Sequence, residues 1–91
     1  MCSNIVETTN ILGCGKGKDG WFTLAQAIVS FDHPMHANAE HAINIDFVNH
    51  KLGLDSRVAV ELTAESAKNL IKALESALEK GHEQNLRTGT L

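Results

Sequence analysis

The chain has 91 residues, a formal net charge of −3 and 43% hydrophobic residues, which suits one small globular domain and excludes wholesale disorder. Its lysines are interspersed with glutamates instead of forming a basic face, so we expect no nucleic-acid partner. No apolar run reaches the roughly 20 residues of a membrane-spanning helix, and the two cysteines form no disulfide framework, so we expect a cytoplasmic protein without a membrane partner.

Two β-strands are predicted in the first third of the chain. Residues 4–12 alternate loosely and include two threonines, which favours a strand. The glycine-rich residues 13–20 predict a flexible connection. Residues 21–31 are rich in aromatic and β-branched side chains, and both faces of this second strand are fairly apolar. That pattern is typical of a strand that is covered twice or that pairs with another subunit.

Two further strands are predicted after the only proline. Pro34 ends the second strand because it cannot donate to a β-ladder. Residues 41–47 alternate cleanly between apolar and polar side chains, which predicts a third strand with one wet face. A turn containing Gly53 then leads to a fourth strand over residues 57–62.

A helix is predicted at the C-terminal end. Thr63 is a favourable N-cap, and Gly81 is placed to end the helix. Its apolar residues recur with helical spacing on one stripe: Ala67, Leu70, Ile71, Leu74, Ala77 and Leu78. This stripe has to pack on a face of the sheet, since no other apolar surface is predicted.

The predicted fold is α+β, a four-stranded antiparallel β-meander with one C-terminal α-helix packed on one face, because short connections favour antiparallel pairing. Residues 1–82 are expected to form the single domain, and residues 83–91 a flexible C-terminal tail with little to bury. The sheet face that the helix leaves open needs a partner, so we expect a homo-oligomer, most simply a homodimer.

Histidines are concentrated between the second and third strands with the spacing H-x2-H-x4-H: His33, His36 and His41. Imidazole is a common ligand of transition metals, and three ligands leave an open coordination position for water or substrate. Glu40 and Cys2 could supplement these ligands, and Asp32 could ligate or orient an imidazole. The spacing therefore indicates a transition-metal site, and zinc and iron are the metals expected, although the spacing does not choose between them. The alternative is that the histidines lie at the surface, bonded to water or backbone.

Two further features invite a chemical interpretation. The glycine-rich residues 13–20 could present amides to a phosphate, but the phosphate-binding fingerprints require a helix after the loop, and here a strand follows. Asp46 lies between Ile45 and Phe47 and could do acid–base work if partly buried. Its alternative is an ordinary position facing solvent.

Five short sequence segments are informative when taken together: CSNIVET (2–8), GKGKDGW (15–21), DHP (32–34), AEHA (39–42) and NIDF (44–47). Together they resemble an uncharacterised family of roughly 90-residue bacterial proteins, a domain of unknown function. The resemblance extends up to Gly81. It implies a stand-alone bacterial protein and assigns no catalytic residue.

Three functions are consistent with these patterns. The leading hypothesis is a small metal-binding protein that uses the histidine-rich segment, and the open coordination position leaves catalysis undecided. The second is a non-catalytic homodimeric interaction module whose two-sided second strand forms the interface. The third is a small-molecule-binding protein with a pocket between the helix and the histidine-bearing loop.

Overall fold

The fold is known from a computed structural model that describes residues 5–32, 41–53 and 55–88. Its elements follow in chain order: β1 (Ile5–Gly17), β2 (Gly20–Asp32), β3 (Ala42–Val48), a 3-10 turn (His50–Leu52), β4 (Arg57–Thr63) and α1 (Ala64–Thr88). The strands form one sheet in the order β1-β2-β3-β4, and each adjacent pair is antiparallel. The predicted α+β meander with a single C-terminal helix is therefore confirmed.

The glycine-rich segment lies mostly in a strand and not in a loop. β1 continues to Gly17, which pairs with Gly20, so only Lys18 and Asp19 form the turn. A β-carbon at Gly17 would lie 2.9 Å from Cε1 of Phe22. In a strand, such a glycine allows a side chain to approach the backbone closely, which periodicity alone does not reveal.

A β-bulge interrupts the β1–β2 hairpin. Asn10 pairs with Gln26 and Gly13 pairs with Leu24, so Ile11 and Leu12 together oppose a single residue of β2. A bulge bends its strand and increases the local twist. Beyond the bulge, β1 approaches β4, and a β-carbon at Gly15 would lie 3.2 Å from both Leu24 Cδ2 and Val58 Cγ2. The distal half of the hairpin therefore curls toward β4.

Helix α1 follows β4 directly. The hydroxyl oxygen of Thr63 accepts a hydrogen bond from the backbone N–H of Ser66 at 3.1 Å, which confirms the predicted N-cap. The helix continues through Gly81 to Thr88, so the prediction that Gly81 ends it is wrong. An interior glycine costs a helix about 1 kcal/mol relative to alanine, and no proline follows here to stop the helix.

The isolated chain buries little. Among the described residues, only three apolar side chains are buried, those of Ala27, Ala42 and Val48, and no large side chain is fully buried. The chain exposes 7400 Å² of surface, whereas a compact monomer of 9.9 kDa exposes about 5200 Å². Its radius of gyration is 15.6 Å, compared with about 12 Å for a compact domain of this length. The fold therefore lacks most of the core that would be expected of it.

Candidate interaction surface

One face of the sheet is apolar from β2 to β4. Cross-strand partners share a face, and the register aligns Val29 with Ile45 and Val60 across the three strands. We call this surface the apolar face, and its members are Val29, Phe31, Ile43, Ile45, Phe47, Val58, Val60 and Leu62. Each of these side chains is half-buried, and Ala27, which completes the row of Phe47 and Val58 on this face, is buried. A sheet face of this composition normally forms one side of a core.

The opposite face of the sheet is mainly polar. Asn44 pairs with Ser30 and Glu61, and Asp46 pairs with Ile28 and Ala59. Asp46 Oδ1 accepts a hydrogen bond from Nε of Arg57 at 2.9 Å and lies 2.8 Å from a terminal guanidinium nitrogen of the same residue. The carboxylate that could have done acid–base work is thus held in a partly exposed ion pair. The middle of this face is polar, whereas Ala42 and Val48 at the two ends of β3 are buried.

The apolar stripe of α1 is exposed. Ala67 is half-buried, but Leu70, Ile71, Leu74 and Leu78 are 42%, 55%, 55% and 72% exposed. Exposure is therefore greatest at the end of the stripe that is farthest from the sheet junction. The helix contacts β4 and β3, and that contact leaves most of the stripe uncovered. Exposed apolar area of this extent marks an interaction surface in a stable protein.

The direct junction of β4 and α1 explains why the helix stripe stays exposed. β4 ends at Thr63 and α1 begins at Ala64, so no residue connects the two elements. A helix that reverses onto the sheet needs a connection of about 2–6 residues. The sequence did carry this signal, because a strand pattern reaching Leu62 and an N-cap at Thr63 leave no room for a turn.

A second exposed patch lies on the outer side of the β1–β2 hairpin. Leu12 at the bulge is 102% exposed and Trp21 is 71% exposed. The exposed thiol of Cys14 lies between them along the hairpin and pairs across the strands with Thr23. Phe22 and Leu24 alternate with Trp21 and Thr23 along β2 and are half-buried, so the exposed patch occupies one side of the hairpin.

The metal-binding hypothesis is wrong. Within residues 5–32, 41–53 and 55–88, no group of three or more histidine, cysteine, aspartate or glutamate side chains could hold a metal ion. His41, the one proposed histidine ligand in those ranges, stacks its ring on Phe31 with centroids 5.3 Å apart and planes 5° from parallel. Its place is therefore at the end of the apolar face. Asp32, which could also have ligated, is the last residue of β2 and pairs with Ala42. The remaining proposed ligands lie outside the described residues: Cys2, His33, His36 and Glu40.

Two open clefts are found among the described residues. One, of about 370 Å³, lies beside the bulge and is lined by Asn10, Ala25, Gln26, Val48, Asn49, His50 and Lys51. The second, of about 310 Å³, lies at the hairpin turn and includes Trp21 and Leu52. Asn49 is already engaged, donating to the carbonyl of Thr23 at 3.0 Å and accepting from the N–H of Lys51 at 3.2 Å. Small-molecule binding stays a prediction.

The fold and these surfaces define a small α+β protein whose helix stripe is exposed and whose apolar sheet face is only partly covered in the single chain. The chain belongs to a family of unknown function, DUF6295, whose profile matches residues 1–87. No curated protein and no solved structure matches it. Among the described residues, no helix combines the length and apolar character needed to cross a membrane.

Proposed function

We propose that this protein is a homodimeric interaction module, and that the dimer interface covers the apolar face and the helix stripe. The observation that carries the proposal is the surface excess of the single chain. The chain exposes 7400 Å², which is about 2200 Å² more than a compact monomer of its mass. Part of this excess lies outside the two surfaces, at Leu12 and Trp21 for example. Two copies that each bury half of it would bury about 2200 Å² in total, still within the range of obligate homodimers.

The composition of the two surfaces supports self-association. The apolar face joins β-branched, leucine and phenylalanine side chains into one patch, and the stripe of α1 is formed by alanine, leucine and isoleucine. Burial of apolar area stabilises by about 25 cal/mol per Å², and it is the main contribution available to a domain of this size. A partner copy supplies the missing core, so folding and association are expected to be coupled.

A cytoplasmic location belongs to the same proposal. Cys14 is exposed and unpaired with another cysteine among the described residues, which suits a compartment that keeps thiols reduced. A reducing compartment would also prevent dimers from becoming linked through this thiol. Fractionation of cells that produce the protein, with the redox state of Cys14 measured by thiol labelling, tests this location.

The test of the dimer is its molar mass by light scattering coupled to gel filtration. The wild-type protein is expected to have twice the chain mass of 9.9 kDa. Ile45→Lys places a charge at the centre of the apolar face and is expected to give monomers. Asn44→Lys is the matched control, since it adds the same charge one residue away on the polar face and should remain dimeric.

The Ile45 side chain is half-buried in the single chain, so a lysine there also destabilises the fold of the single chain. A second variant separates loss of the dimer from loss of the fold. Leu78→Lys is suitable because this side chain is largely exposed and contributes little to the single chain. It is expected to raise the protein concentration at which the dimer forms, while circular dichroism still shows the helix at concentrations where the variant is dimeric. A wild-type protein that is folded and monomeric at every concentration would refute the proposal.

A further inference from the structure

We infer that the dimer is reciprocal, with α1 of each copy lying across the apolar face of the other copy's sheet. The inference rests on the proposed dimer and specifies which surfaces meet. Two surfaces are incompletely covered, and they differ in shape: the half-buried broad face of a sheet and the exposed, narrow stripe of a helix. Two-layer packing of a helix on a sheet is the arrangement that domains of this class use to bury both.

The direct junction between β4 and α1 disfavours the intramolecular version of this packing, because connections that reverse the chain commonly take about 2–6 residues. With Thr63 in the strand and Ala64 in the helix, the chain has no residue with which to reverse direction. The growing exposure from Leu70 to Leu78 shows the helix leaving its own sheet. The same helix can reach a neighbouring sheet without any turn, which is the geometry of exchanged elements in dimers.

The dimensions of the two surfaces match. The stripe from Ala67 to Leu78 rises about 16 Å along the helix axis. Strands β3 and β4, of seven residues each, are about 23 Å long. The three strands β2, β3 and β4 span about 10 Å from first to last, and a helix is about 10 Å wide. One helix therefore covers one apolar face.

Each alternative pairing covers only one of the two surfaces. Pairing helix with helix would bury the stripes and leave both apolar faces in water. Pairing sheet with sheet would bury the faces and leave Leu74 and Leu78 in water. In the reciprocal arrangement, the helix of each copy packs on the sheet of the other, and a two-fold axis relates the two contacts. Both surfaces of both copies are therefore buried.

The experiment is cross-linking between chains that carry one cysteine each. In a background of Cys2→Ser and Cys14→Ser, one chain carries Ile45→Cys at the centre of the apolar face and the other carries Leu74→Cys at the centre of the stripe. The two chains are refolded together and treated with a short bis-maleimide. The expected product is a dimer that contains one chain of each kind, identified by mass spectrometry.

The other combinations distinguish the alternatives. Cross-linking of Ile45→Cys with itself would indicate sheet-to-sheet packing, and cross-linking of Leu74→Cys with itself would indicate helix-to-helix packing. Either, in the absence of the mixed product, overturns the reciprocal arrangement. Lys72→Cys is the matched control, since it lies on the opposite side of α1 and should not link to Ile45→Cys.

Failure of this inference is distinguishable from failure of the proposed dimer. A protein that is dimeric by light scattering but yields no mixed product retains the proposed function and loses the reciprocal arrangement. A protein that is monomeric by light scattering loses both. A link within one chain that carries Ile45→Cys and Leu74→Cys together, formed at high dilution, would show that α1 reaches its own sheet and would overturn the inference directly.

Discussion

The loss of unfolding free energy in the variant Leu78→Ala is expected to be small if the protein is a monomer and large if it is a dimer. In the single chain this side chain is 72% exposed, so little of its burial free energy is realised. Full burial of a leucine contributes about 1.5–3 kcal/mol, and the covered part here amounts to about 0.5 kcal/mol. If a partner copy covers the side chain, Leu78→Ala instead costs about 2–4 kcal/mol per chain, as buried leucines do.

Helix propensity cannot explain a loss of stability in Leu78→Ala, because alanine is the best helix former and the substitution slightly stabilises the helix itself. The free energy of unfolding is measured by urea denaturation at several protein concentrations, with Trp21 fluorescence and circular dichroism as signals. For a dimer, the transition midpoint of the wild type rises with concentration, and Leu78→Ala lowers it strongly.

Lys72→Ala is the control for this measurement, because Lys72 is exposed on the side of α1 away from the stripe. Its expected effect is within about 0.5 kcal/mol. A loss below about 1 kcal/mol for Leu78→Ala, together with midpoints that do not depend on protein concentration, would refute the reasoning.

Two further predictions concern local structure. Thr63→Ala is expected to cost about 1 kcal/mol of unfolding free energy, because the Ser66 N–H loses its capping oxygen. Thr63→Ser keeps a hydroxyl and should retain most of the stability. A larger loss of stability in Thr63→Ser than in Thr63→Ala, measured by thermal denaturation, would contradict the capping role. Gly17→Ala is expected to cost about 1–3 kcal/mol of unfolding free energy, because the added methyl group would lie 2.9 Å from the Phe22 ring. In Gly13→Ala the added methyl group meets no atom within 4 Å, so this variant should be close to neutral. Equal urea midpoints for the two variants would show that close approach does not explain the glycine at position 17.

The metal hypothesis illustrates what residue spacing leaves undetermined. H-x2-H-x4-H places three imidazoles close along the chain, but the direction of each ring depends on the backbone and on side chains from other strands. His41 stacks on Phe31 because β2 and β3 pair antiparallel at that end of the sheet. That contact joins residues ten positions apart, and an alternation pattern cannot reveal it.

Local sequence patterns by themselves determined the four strands, the face on which each side chain of β3 and β4 lies, and the N-cap of α1. They did so because period-two alternation and capping depend on neighbouring residues alone. Only the tertiary structure decided that β1 extends to Gly17 and that α1 continues past Gly81. The strand pattern up to Leu62 and the N-cap at Thr63 already indicated a direct junction, but how much of the stripe stays exposed was decided only by the tertiary structure, because it depends on the direction in which α1 leaves the sheet.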